Sequence, residues 1–253
     1  MSLVAHYVRF GIPVPKKWRG HTSSSIVNPD KWGYKIAAAS ESTQAWNMSH
    51  IVNGVQKEVM RMLHNIDAIS VRKEVKDWDV RDDDESKSHT KWPDVCATLP
   101  ASGRNVILEV GGCWHHFTDD KLYEPGEAAD LKEEHKFRDY QKTREAAKVK
   151  AQKDGKDPFT PDVDEVIALG FECTGALGKC FKDFIRLCAR ESQRCTMGAD
   201  LYHWSSMNFI NHWETRISVA IAKGLSFALT REGQRARHRK PYADKCETEL
   251  FGY

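Results

Sequence analysis

Across residues 47–65, apolar side chains recur at helical spacing. Ile51, Val55, Val59 and Leu63 fall four apart, and Val52 and Met62 widen the stripe, which predicts an amphipathic helix. The period then shortens. Residues 69–75 read as a strand with Glu74 near its end, followed by an acidic, polar stretch at 77–90 that reads as a hairpin loop or small insertion. Residues 93–99 read as a half-apolar strand and 106–110 as a second strand, apolar but for Glu109, joined by Pro100-Ala101-Ser102-Gly103-Arg104-Asn105, whose composition is that of a turn. Residues 127–153 are rich in Ala, Glu, Lys, Arg and Gln and predict a helix with few large apolar side chains, so that much of it is exposed. A strand over 163–173, a helix over about 178–191 and a last helix over about 201–230 follow. The sequence of elements is helix, three strands, helix, strand, then helices.

Composition narrows the class. The chain has 253 residues, 40% of them hydrophobic and 29% charged, the balance of a wet-surfaced globular protein. Net charge is only +2, but both ends are basic. Arg9, Lys16, Lys17 and Arg19 stand in the first 20 residues without an acid, and Arg231, Arg235, Arg237, Arg239, Lys240 and Lys245 face only Glu232 and Asp244. Such ends suit phosphate-backbone contacts, and equally a solvated tail or a nuclear-import signal. Seven cysteines without a C-x-x-C pair point to a reducing compartment. Cys180 and Cys188, two helical turns apart, are expected to face a core. No continuous apolar stretch predicts a signal peptide or a membrane span.

The chemistry concentrates in the hairpin. Glu109 interrupts the apolar run V-I-L-E-V, and Asp94 follows Pro93 at the start of the partner strand. A carboxylate in a buried run is costly unless a cation meets it. Two readings stay open: Glu109 pairs with a buried Lys or Arg while Asp94 caps a turn, or both acids converge on a divalent metal. Cys96, Cys113 and His116 offer a thinner zinc alternative, set against a packed Cys113 and surface histidines.

This element order, with Pro93-Asp94 on one strand and Glu109 on the next, resembles the PD-(D/E)XK restriction-endonuclease-like fold. It is most similar to the restriction-like endonuclease domain of site-specific non-LTR retrotransposons and related mobile elements. Lys136-Phe137-Arg138-Asp139-Tyr140 resembles that branch's K-x-x-K-Y helix pattern, with Asp139 where the second lysine would stand. Gly170 to Gly178 resembles its G-x-x-G-like turn. The likeness spans residues 47–191. Two positions depart from it: Gly111 stands where the strand lysine would be, and the chain contains no reverse transcriptase.

The resemblance implies an α/β fold with an αβββαβ core and a mixed sheet. An irregular basic arm over 1–46 precedes the core at 47–191, and a helical extension with a basic tail occupies 192–253. It also implies hydrolysis of DNA phosphodiesters, RNA not being excluded, with Mg²⁺ or Mn²⁺ held by Asp94, Glu109 and the Val110 carbonyl. Lys136 would serve the attacking water, and Lys132, one turn earlier, could substitute. Glu58, Glu74, Glu172 and His50 are candidates for support, each weighed against an ordinary structural or surface role. Arg231, Arg235, Arg237, Arg239 and Lys240 would grip the backbone. Expected partners are DNA and either a larger mobile-element protein or a second copy, without a membrane, inside the cell: the nucleus of a eukaryote, otherwise the cytoplasm. The alternative is a nuclease-fold module that binds nucleic acid or a protein without cutting.

Overall fold

Each strand and helix follows from a change of hydrophobic period, and most begin or end near the predicted positions. The computed structural model describes residues 41–73, 93–113, 124–153, 165–195 and 206–238. Helix α1 is Glu41–Asn65, followed by strands β1 Ile69–Lys73, β2 Val95–Thr98 and β3 Asn105–Cys113. Helix α2 Glu127–Lys153, strand β4 Glu165–Glu172, and helices α3 Lys179–Cys195 and α4 Ser206–His238 complete the order among the described residues. The fold is α/β with a four-stranded mixed sheet in the order β1-β2-β3-β4. The first two pairings are antiparallel and β3–β4 is parallel, so the chain must cross over between them, which α2 accomplishes.

Several boundaries differ from the expectation. Helix α1 starts at Glu41 rather than 47, so residues 41–46 belong to a helix and not to an irregular arm. Glu41, Gln44 and Ala45 are competent helix formers without an apolar stripe to reveal them. Strand β3 runs on through Gly111 and Gly112 to Cys113, since its parallel partner extends equally far, to Glu172 opposite Cys113. Helix α4 continues to His238, placing Arg231, Arg235 and Arg237 on a helix rather than a tail. Glu74, the acidic stretch at 77–90, His116, Arg239 and Lys240 lie outside the described residues.

The chain divides into two compact units, Val52–Ile221 and Met1–Ile51 with Ala222–Tyr253. The sheet, α2 and α3 lie in the first. Its strand β3 is covered on both faces: Val106, Leu108 and Val110 are buried on one, and Ile107 and Gly111 on the other. In the second unit, Gly224 lets two helices approach closely, since a Cβ there would lie 2.8 Å from Ile51. Among the described residues, no helix is long and apolar enough to cross a membrane.

The buried face of α2 is not apolar. Ala129 and Glu133 are buried and Lys136 and Tyr140 half-buried, at i, i+4, i+7 and i+11, a single helical stripe. Leu131, Phe137 and Val149, the large apolar residues of the same helix, are exposed. In α3, Cys188 is buried, but Cys180 is exposed, contrary to the expectation that both face a core. Eight residues leave a rotation of about 80° between two side chains, and Cys180 falls in the first turn beside Glu133.

Candidate active site

Strand register brings the two acids of the hairpin together. Val95 pairs with Leu108, so Asp94, one residue before β2, stands beside Glu109 and Val110. The Val110 N–H donates to Asp94 Oδ2 at 2.8 Å and holds that carboxylate in place. From α2, the Lys136 ammonium reaches both acids, with Nζ 3.2 Å from Glu109 Oε2 and 3.6 Å from Asp94 Oδ2. The side chains of Glu109, Asp94 and Lys136 are 13%, 21% and 28% exposed, sheltered yet open to a ligand. The pairing of Glu109 with a lysine and its convergence with Asp94 therefore occur together.

Their charges are coupled. Burial pushes the Glu109 carboxyl above its usual 4.5, Lys136 opposes that push, and Asp94 adds to it. Burial would lower the Lys136 ammonium, but Glu109 and Asp94 outweigh it and hold the group above its usual 10.5. Lys136 is thus a fixed cation at neutral pH, not a base.

The missing strand lysine has a packing explanation. A Cβ on Gly111 would lie 3.2 Å from Cγ and Cε of Lys132 and 3.3 Å from Cγ of Lys136. The stems of two helix lysines fill the space that a side chain at 111 would need. Further along α2, Tyr140 packs on the buried Cys96–Ile107 pair. Asp139 pairs with His135 at 3.2 Å on the helix surface.

The remaining sequence candidates are placed elsewhere. Glu58 forms ion pairs with Arg61 and, at 2.7 Å, with Arg216, which accounts for its charge. Glu172 is buried and accepts from the Gly126 N–H and the Thr174 hydroxyl, both at 2.9 Å, so it anchors the entry to α2. The His50 ring, inside α1 rather than at its start, lies 4.9 Å from the Phe227 ring at a tilt of 47°, both within the second unit. Cys113 donates to the Phe171 carbonyl at 3.4 Å, and burial pushes its thiol up to about 12, while Cys96 is buried and pushed up to about 11.

Glu133 was not singled out from the sequence. Buried on α2, it accepts from the N–H groups of Gly170 at 3.0 Å and of Cys180 and Phe181 at 2.9 Å. One turn earlier, Asp130 Oδ1 accepts from the Lys179 N–H at 2.6 Å. Together they satisfy the orphan donors at the start of α3. Two of the three glycines of the 170–178 segment serve this contact: a Cβ on Gly170 would strike the Ala129 carbonyl, and one on Gly178 the Glu133 carboxylate. An acid on the stripe that also carries Lys136 was the available signal.

Among the described residues, no group of three or more His, Cys, Asp and Glu converges as a metal cage. The Asp94–Glu109 pair fits a different kind of site. It offers oxygen donors only, converging where a cation is already favoured, and Mg²⁺ commonly takes one or two carboxylates while phosphate and water complete its shell. No family model, no curated protein and no solved structure matches the chain.

Proposed function

We propose that this protein is a metal-dependent endonuclease that hydrolyses phosphodiester bonds in DNA, on a restriction-endonuclease-like αβββαβ core. The observation that carries the reading is the meeting of Asp94, Glu109 and Lys136 from a strand entry, a strand and a helix on one ammonium, at 3.2 and 3.6 Å. The order and pairing of the strands also support it. Asp94, Glu109 and the Val110 carbonyl would hold Mg²⁺ or Mn²⁺. Bound there, the ion supplies positive charge to the phosphoryl group in transfer and acidifies a water.

The residues of the chain do the rest. Asp94, oriented by the Val110 N–H, and Glu109 present their oxygens to one point. Lys136, kept protonated by both acids, orients the attacking water and stabilises the negative charge that gathers on the phosphate oxygens. Water gives up a proton to solvent as it attacks phosphorus, the bond to the leaving oxygen breaks, and that oxygen takes a proton from solvent. The alternative, a module that binds nucleic acid without cutting, has its own support: Lys136 already answers both carboxylates.

Nicking of supercoiled plasmid separates the two. Wild type is expected to cut with Mg²⁺ or Mn²⁺ and not with Ca²⁺, whose looser coordination is ill suited to in-line geometry. Glu109→Ala should cut at least about 100-fold more slowly. Equal cutting by the variant, or none by wild type with either metal, refutes the nuclease reading.

A further inference from the structure

Edge strand β1 carries an arginine that the sheet turns toward the face of Glu109. Ile69 pairs with Thr98, but Arg72 pairs with Cys96 and Lys73 with Val95, so β1 holds one extra residue between the first pairing and the second. Ser70 lies inside this irregularity at a φ of 53°, a conformation that costs a non-glycine residue free energy. In an uninterrupted ladder Val71 would oppose Cys96, and Arg72 would oppose Val95 and point to the other face. The bulge reverses this, as bulges beside functional sites do.

The consequence can be followed across the sheet. Residues directly opposite one another share a face. Cys96 opposes Ile107, and Ile107 shares its face with Glu109, two residues on. Arg72 therefore stands on the Glu109 face, one strand beyond β2. The Cys96 thiol, raised chiefly by burial, is lowered by the Arg72 charge and raised by that of Glu109, as expected for a thiol between them. Lys73 has the opposite orientation and donates to Asn53 on α1 at 2.9 Å. Arg72 is exposed, and among the described residues no acid forms an ion pair with it.

We propose that Arg72 binds a phosphate of the nucleic-acid strand adjacent to the one being hydrolysed, so that the substrate crosses the sheet from β1 toward β3. This rests on the nuclease reading for the position of the reacting phosphate. A guanidinium presents paired donors that match phosphate oxygens. The backbone distortion at Ser70 supplies the orientation.

The test measures binding apart from cutting. Affinity for a short fluorescein-labelled DNA duplex is followed against salt, with Ca²⁺ in place of Mg²⁺, for wild type, Arg72→Ala and Arg72→Lys. Losing one phosphate contact should flatten the log–log salt slope by about 0.9 in Arg72→Ala, and Arg72→Lys should restore most of it. In steady-state cutting with Mg²⁺ the Arg72→Ala loss should fall on KM, by roughly three- to tenfold, rather than on kcat. An unchanged slope and KM overturn the proposal even where wild type cuts. A flattened slope in a wild-type background that binds but does not cut sustains the phosphate contact and refutes only the nuclease reading. Absence of binding by wild type overturns both.

Discussion

Two groups of sheltered acids in this protein have the same chemistry and opposite surroundings. Glu133, Glu172 and Glu191 accept hydrogen bonds from backbone N–H groups: Glu133 from three, Glu172 from Gly126, and Glu191 from Ala101 and Ser102 at 2.9 and 3.0 Å. Main-chain donors cannot leave without unfolding something, so these carboxylates are part of the framework. Asp94 also accepts from one main-chain donor, the Val110 N–H, but it shares with Glu109 the end of a long, flexible lysine. An ammonium can yield to a divalent ion or turn to a phosphate while the backbone stays in place. A mobile ammonium among the partners, more than burial, sets this pair apart from Glu133, Glu172 and Glu191.

The largest expected contrast comes from exchanging losses between the groups. Asp94→Ala should lower cutting by at least about 100-fold, while urea unfolding shows a loss of only about 1–2 kcal/mol, since one repulsive charge leaves with one hydrogen bond. Glu133→Ala should do the reverse. It strands three N–H groups, each costing about 1–3 kcal/mol when buried, so stability should fall by about 3 kcal/mol or more while cutting per folded molecule persists. Similar stability losses for both would end the distinction.

A smaller effect concerns the cation between the acids. Lys136→Met should cost about 1–2 kcal/mol at neutral pH and push the Glu109 carboxyl higher still, because the group opposing burial is gone. The raised Lys136 value fixes the alkaline sign: its contribution is fully present below pH 10.5 and is lost as pH rises through the higher folded value. In acid and without a divalent metal, the Glu109 carboxyl should titrate with a midpoint above 4.5, followed by its side-chain carbon signal in NMR. A metal-free midpoint at or below that value would show that Glu109 titrates as an ordinary exposed acid.

The smallest effect tests Lys132, which lies against the same glycine as Lys136. Lys132→Ala should change the cutting rate by no more than about twofold, as expected for a side chain away from the carboxylates. A loss as large as that of Lys136→Met would transfer the role of the cation to the earlier turn.

Much of this arrangement was readable without coordinates. The acid inside V-I-L-E-V had to meet a cation, and the turn after Leu99 had to return the chain beside Asp94; both occur. Glu133 escaped notice because the buried stripe of α2 is Ala, Glu, Lys and Tyr, and hydropathy cannot separate such a face from a solvated one. The extent of α1 and α4 escaped for a related reason, since their additional turns carry no apolar stripe.

By itself the sequence determined the order of elements, the hairpin and the need for a charge opposite Glu109, because periodicity and turn chemistry act over a few neighbouring residues. Tertiary structure alone decided which lysine supplies that charge, which glutamates belong to the framework, and toward which face Arg72 points. Those outcomes depend on strand register and on a helix crossing between parallel strands. One extra residue in β1 is enough to move a side chain from one face of the sheet to the other.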